Sequence, residues 1–296
     1  MKRIVESVPN FSEGRQQEVI DRIVEALASV EGVRVLDVQS DADHNRSVVT
    51  MVGEPEAVEE AAFRGIERAA RLIDMDRHQG EHPRMGATDV VPFVPIAGVT
   101  MADCVEMARR LGERVGRELA IPVYLYEEAA THPERRNLAD VRRGEYEKLK
   151  VEIETDPHRA PDFGPARMGK AGATAIGARP PLIAFNVYLN TDDVAVAKAI
   201  ARAVRHSSGG LRFVKALGLL VEGRAQVSMN LTDYRRTPIH RVVEMIRREA
   251  ARYGVAIASS EVVGLVPNEA LVEAARFYLQ LDSFSPDQIL ENRLAE

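Results

Sequence analysis

The apolar patterning predicts an α/β chain of the α+β kind, made of two ferredoxin-like subdomains with split βαβ cores. Three observations carry this expectation. Strand, helix, strand, strand, helix, strand reads off the N-terminal third. The same order returns after residue 181. A stretch dense in Gly and Pro, 155–181, separates the two. The repeat rests on element order, because the halves share little sequence.

The elements follow in order. Residues 2–9 read as a short strand. Val19, Ile23 and Leu27, with Ile20 and Val24 beside them, recur at helical spacing, and Gly32 ends that helix. Val33–Gln39 and Ser47–Val52 are two strands around the polar turn 41–45. Val58, Ala62, Ile66, Ala69 and Ile73 stripe a second helix. Val90–Ile96 is a fourth strand, whose prolines predict an edge position. Thr100 with Asp103 forms a capping box for a helix through about Leu119. Val123–Tyr126 is a short strand and 136–142 a short helix. The segment 155–181 reads as a loop too long to be a mere connection.

In the second half Leu182–Leu189 is a strand, and Ala197, Ile200, Ala201 and Val204 stripe a helix. Leu211–Val221 and Ala225–Leu231 form a hairpin around Glu222-Gly223. Ile239, Val242, Val243, Ile246 and Ala250 mark a helix that Thr237 and Pro238 start as N-cap and N1. Val255–Ile257 opens a last strand. Leu271, Ala274, Ala275 and Tyr278 mark a closing helix.

Composition narrows the function. The chain has 296 residues, 45% hydrophobic and 28% charged, with formal net charge −6. That is ordinary globular composition, long enough for a large core without a disulfide or structural metal. A single cysteine, Cys104, excludes an internal disulfide and fits a reducing compartment. No apolar run approaches the ~20 residues of a membrane span, and the N-terminus reads as strand rather than leader. The acidic balance argues against nucleic acid as a partner.

Two polar segments stand out. His78-Gln-Gly-Glu-His82-Pro-Arg84-Met-Gly86 with Asp89 crowds histidines, acids and an arginine into one loop, and Pro83 and Gly86 restrict its backbone. Histidine is the side chain suited to proton shuttling near neutrality. Asp41-Ala-Asp43-His44-Asn45-Arg46 combines carboxylate, amide and guanidinium in a turn. Either segment also has a plain reading, as a helix cap with solvated neighbours or as a polar hairpin. A metal site from Asp41, Asp43, His44, His78 and His82 lacks any established ligand spacing. Val8–Gly14 ends a strand where a helix begins, so its backbone N–H groups could receive a carboxylate, or Ser12 could cap the helix. The run Gly164–Ala171 falls short of a phosphate loop, with Ala171 where a hydroxyl is needed. Cys104 reads as a small buried hydrophobe. His132, His158, His206 and His240 read as surface histidines.

In their order along the chain, these segments resemble the glutamate formiminotransferases, folate enzymes of histidine degradation and one-carbon metabolism. The matching stretches are Val8–Gly14, Asp43–Arg46, Gly80–Gly86 with Asp89, Pro122–Tyr126 with Ala129 and Ala130, Arg143–Tyr146, Pro161–Pro165, Gly177–Arg179, Leu182–Asn186 and Val263–Pro267. Glu127 stands where the family often has Gly, and the loop after Pro165 differs from the eukaryotic form. The resemblance implies subdomains at 1–178 and 179–296 with a substrate groove between them, His82 as the catalytic residue, and a cytoplasmic homodimer of the stand-alone type. It also implies a folate-binding loop of Phe163, Gly164, Pro165, Ala166, Arg167, Met168, Gly169, Lys170, Ala171 and Gly172. Tetrahydrofolate is the implied co-substrate and no metal is expected.

The implied reaction moves a formimino group from N-formimino-L-glutamate to N5 of tetrahydrofolate. One histidine can serve as base and then acid. Asp43 or Asp89 would stabilise the cationic amidine or orient His82. Arg46, Arg84 and Arg179 are candidates for the substrate carboxylates. Two other classes compete: a non-catalytic folate- or metabolite-binding protein, and a metal-dependent formiminoglutamate hydrolase using His44 and His82.

Overall fold

A computed structural model describes residues 3–294. The chain divides into two compact units, Met1–Pro180 and Pro181–Glu296.

The first unit runs β1 (Ile4–Ser7), β2 (Asn10–Phe11), α1 (Gln17–Ala28), β3 (Arg34–Asp41), β4 (Arg46–Gly53), α2 (Pro55–Leu72), β5 (Thr88–Ala97), α3 (Met101–Glu118), β6 (Val123–Glu127), α4 (Leu138–Val141), α5 (Glu145–Glu152) and β7 (Thr174–Ala178). β1 and β2 are one interrupted strand, flanked by β4 on one side and β5 on the other, and β3 pairs with β4 on the outside. All these pairings are antiparallel, for example Glu6 opposite Val52 and Val94. This is the split βαβ sheet that the element order predicts. The sheet then continues: β7 joins β5 in parallel, and β6 joins β7 in parallel. Helix α3 is the crossover that parallel strands require.

The helices form where apolar residues recur at three- and four-residue spacing, and they bury that face. Ile23 and Leu27 of α1, Val58, Ala62 and Ile66 of α2, and Met107, Leu111 and Val115 of α3 share one core with Phe11, Met51, Phe93 and Ile176 of the sheet. Each such Val, Leu, Ile, Phe or Met side chain contributes roughly 1.5–3 kcal/mol by leaving water. Thr100 and Asp103 close a reciprocal capping box at the start of α3. Cys104 lies in this core, and burial pushes its thiol up to about 11, so it is inert packing.

The second unit runs β8 (Ile183–Leu189), α6 (Val194–Val204), β9 (Val214–Val221), β10 (Arg224–Leu231), α7 (Ile239–Ala251), β11 (Ile257–Val263), α8 (Asn268–Leu279) and α9 (Leu290–Leu294). Its sheet order, β11-β8-β10-β9, is antiparallel throughout and repeats the first unit's split βαβ topology. Glu222 and Gly223 both take positive φ, 48° and 72°, as the tight hairpin predicted there demands.

Several local expectations change. The proline-bearing strand β5 is central, not an edge. Pro95 falls where the β1 register shifts between Ile4 and Val5, so its missing N–H sits at an irregularity. The 155–181 stretch contains β7, which its glycines disguised. Thr237 does not cap α7: its hydroxyl donates to the Arg212 carbonyl (2.6 Å), and the helix begins after Pro238. His240 is buried rather than exposed, stacked on Phe277 with ring centroids 4.4 Å apart. Leu271 and Tyr278 of α8 stay about half exposed, and Ala270 alone of that helix is buried. Among the described residues no helix is long and apolar enough to cross a membrane.

The return of the long loop to β5 depends on two glycines. Gly86 bridges Gly172, whose φ is +73°. Ala87 N donates to Ala171 O (2.8 Å), and Ala173 N to Met85 O (3.0 Å). A Cβ on Gly86 would lie 2.2 Å from the Ala173 carbonyl oxygen. We predict that Gly86→Ala lowers stability by about 3 kcal/mol or prevents folding. Gly169→Ala, where a Cβ meets nothing within 4 Å, stays within about 1 kcal/mol. Urea titration of both variants checks this, and equal midpoints would contradict it.

Candidate active site

Four segments of the first unit converge on His82: the β2–α1 junction, the β3–β4 turn, the loop between α2 and β5, and the α4–α5 junction. The loop reaches the turn by backbone contact. Glu81 N donates to Asp43 O (3.2 Å), and a Cβ on Gly80 would lie 2.3 Å from the His44 carbonyl oxygen. Asn45, at φ 47°, links the pieces: its side chain accepts from Gly14 N (3.0 Å) and donates to Gln79 O (2.9 Å). Ser12 ties the junction to the loop through its hydroxyl, donated to Gly86 O (2.8 Å).

His78 is part of this frame. Its Nδ1 accepts from Arg84 Nε (3.2 Å), which leaves Nε2–H to donate to Asn45 O (2.9 Å). Burial is the largest cause that lowers its pKa. Arg84 is buried and fully engaged: Nη1 meets Glu145 Oε2 (2.8 Å), and Nη2 meets Glu147 Oε1 (2.6 Å). It therefore clamps the loop to α5.

The other two guanidiniums differ. Arg46 donates to the neutral Asn10 side chain, and Arg142 donates to Asp89. Asp89 is 2% exposed and also accepts from Met85 N (2.9 Å), so it anchors both the loop and Arg142. The Nε atoms of Arg46 and Arg142 are buried without a partner. Burial, with Arg142 nearby, lowers Arg46 to about 10, opposed by Asp89 and Asp41. His82 sits in the same positive field. Burial first, then Arg46, Arg142 and His44, push its pKa down to about 2, opposed by a hydrogen bond with the Pro83 backbone. The His44 and His82 rings meet edge to face at 6.0 Å, and Asp41 holds His44, its Oδ2 3.5 Å from Nδ1. The outcome is a neutral, half-buried imidazole lining a small polar pocket with Ser12, His44, Asn45, Arg46 and Asp89.

Two family descriptions match the chain. The N-terminal subdomain of the formiminotransferase domain matches residues 4–179, and the formiminotransferase domain matches 184–293. The chain belongs to the formiminotransferase family. It is 53% identical to a glutamate formimidoyltransferase of Thermoplasma acidophilum, over 98% of this chain and 97% of that one. It is 50% identical to one from Streptococcus pyogenes serotype M1, over 99% of each. It is 46% identical to a formimidoyltransferase-cyclodeaminase of Mus musculus, over 94% of this chain and 53% of that one.

Within this family member, the sequence-derived residues separate. His82, Arg46 and Asp89 come together. Arg84 borders the same pocket, but its donors are committed to glutamates. Asp43 is exposed at the turn and contributes its carbonyl to Glu81. Arg179 lies elsewhere: it follows β7, with its N–H on Phe93 O (3.1 Å), near Glu6 and Tyr126. Phe93 is four residues along β5 from Asp89, or ~13 Å. In the 163–172 loop, Phe163 bridges Val123, Met168 and Gly172 are buried, and Gly164, Pro165, Ala166, Arg167, Gly169 and Lys170 are exposed. Lys170 Nζ reaches Asp74 at 3.2 Å, and Ala171 O joins the loop to β5. The N–H groups after Phe11 are already engaged: Ser12 N donates to Ala87 O (2.9 Å), Gly14 N to Asn45, and Arg15 N (2.8 Å) and Gln16 N (2.9 Å) to Glu13 Oε1, so Ser12 is not the cap. Glu127 takes φ 52°, a left-handed conformation that Gly adopts without strain. Arg142 is the residue that sequence reading missed. Its signal is Asp89, 53 residues away, which needs a cation.

A histidine kept neutral by folding makes stability fall in acid. The unfolded side chain binds a proton below about pH 6.5, whereas the folded one does not until near pH 2. The stability is present above 6.5 and is lost as pH falls from there. Between pH 7.5 and 5.5, wild type should lose about 1.4 kcal/mol more than His82→Asn, measured by urea titration. Equal losses would mean that His82 titrates freely.

Proposed function

We propose that this chain is a glutamate formimidoyltransferase, moving the formimino group of N-formimino-L-glutamate to N5 of tetrahydrofolate. The observation that carries the reading is the neutral His82 imidazole at the wall of a cationic pocket, in a chain about half identical over its length to named glutamate formimidoyltransferases.

N5 of tetrahydrofolate attacks the amidine carbon, and the N5–C bond forms. The N5 proton passes to His82. The bond from the amidine carbon to the glutamate nitrogen then breaks, and that nitrogen takes the proton from His82. The products are 5-formiminotetrahydrofolate and glutamate, with no net proton change and no covalent enzyme intermediate. A neutral imidazole can begin this sequence, and an imidazolium could not. Asp89 acts as a positioning residue through Arg142 and Met85. Asp43 sits at the turn's outer edge, where a cationic amidine or the folate ring can meet it.

Phe163 to Gly172 form the folate loop in this reading. Their supporting feature is the backbone ladder from Ala171–Ala173 to Met85–Ala87, which couples whatever the loop holds to the His82 segment. Arg179, beside Tyr126, then serves a second carboxylate. The reading extends to functional subdomains at 1–178 and 179–296, a homodimer and a cytoplasmic location, as in the family resemblance. Among the described residues there is no cluster of three or more metal-ligating side chains, and no observation favours the hydrolase or the binding protein.

The test is incubation with formiminoglutamate and tetrahydrofolate followed by acid, in which the 5-formimino product cyclises to methenyltetrahydrofolate, which absorbs in the near ultraviolet. His82→Ala should fold and bind folate, with kcat lowered roughly 10²–10⁴-fold and KM little changed. His78→Ala should act mainly through stability. Near-wild-type kcat in His82→Ala would overturn the assignment.

A further inference from the structure

We propose that Arg46 and Arg142 together receive the α-carboxylate of the donor, which makes the enzyme specific for formimino derivatives of α-amino acids. The proposal rests on the transfer reaction above and deepens it.

Arg84 has two glutamates, and buried Arg135 has Asp162 at 2.6 Å. Arg46 and Arg142 share Asp89, with Asp41 farther out, and Arg46 bonds directly to a neutral amide. His44 and His82 add basic groups to the same space. Both guanidiniums are mostly buried, and each keeps a buried Nε–H without an acceptor. A buried cation short of its counter-charge is costly unless an anion completes it. Arginine suits a planar, bidentate carboxylate.

The chemistry selects which carboxylate. His82 must reach the nitrogen that leaves with glutamate. The α-carboxylate hangs on the carbon bonded to that nitrogen. The γ-carboxylate lies two methylenes farther along the chain, and the folate carboxylates lie across the benzoyl group from N5. Only the α-carboxylate falls beside His82 when the reacting atoms are in place. Its negative charge also offsets the field of Arg46 and Arg142 on the imidazole, so the base strengthens once the donor is seated.

The test compares three donors with the full-length protein: N-formimino-L-glutamate, N-formimino-L-glutamine, which keeps only the α-carboxylate, and N-formimino-4-aminobutyrate, which keeps only the γ-carboxylate. Binding is measured by calorimetry without folate, and turnover by the acid assay. The aminobutyrate derivative should bind at least ten- to a hundred-fold more weakly than formiminoglutamate, and the glutamine derivative less than about ten-fold more weakly. Arg142→Gln, with Arg142→Lys as the charge-retaining partner, should weaken formiminoglutamate by roughly ten- to a hundred-fold and leave the aminobutyrate derivative unchanged. Equal binding of the two single-carboxylate donors to wild type overturns the proposal. So does an Arg142→Gln loss of equal size on both. Selective binding of the α-carboxylate without product keeps the receptor and overturns the transfer reaction instead.

Discussion

Because Gly80 carries no side chain, the loop between α2 and β5 lies directly on the β3–β4 turn, and Gly86 lets the other end of that loop lie directly on Gly172 and Ala173. Everything distinctive about the site follows from these contacts. With backbone against backbone, His82 is shielded by neighbours from four segments. Asn45 can reach both Gly14 and Gln79, and Asp89 can hold Met85 and Arg142 together. One added methyl at Gly86 would push against a carbonyl that the ladder cannot release, so the contact and the site stand or fall together.

The same closure sets the electrostatics. Shielding weakens the solvation of any charge inside, so the cations there act on one another strongly. Arg46 and Arg142 share mainly one buried carboxylate, Asp89, and His44 has Asp41. The imidazole answers by staying neutral, and the guanidiniums keep unused donors. Both properties serve amidine transfer: a neutral base can take the N5 proton, and spare donors can take a carboxylate. Arg84, equally buried, is excluded from that role because Glu145 and Glu147 already surround it.

Much of this was legible in the sequence. The alternation of strands and the helical stripes led directly to both split βαβ sheets, because each element buries the face that its period exposes. The His82 and Arg46 segments could be singled out because histidine, acids, proline and glycine rarely crowd together for packing alone. What escaped was non-local. β7 carries Gly177 and follows a proline-rich stretch, so no pattern shows that it inserts between β5 and β6. Pro92 and Pro95 suggested an edge, since nothing local reveals that a second strand pairs beyond them. Arg142 reads as one charge among several on a short helical stretch, and its partner lies on a distant strand. Arg84 sits in the most conspicuous motif of the chain, yet its guanidinium is claimed by two glutamates that only the fold brings near.

Folding holds His82 neutral in a field of excess positive charge. The most direct measurement is the ¹⁵N shift of the His82 ring nitrogens followed by NMR through a pH titration of the free protein. A ring that remains neutral down to pH 5, with protonation moved to higher pH when glutamate is added, is the predicted result. A midpoint near the ordinary 6.5, indifferent to glutamate, would contradict it.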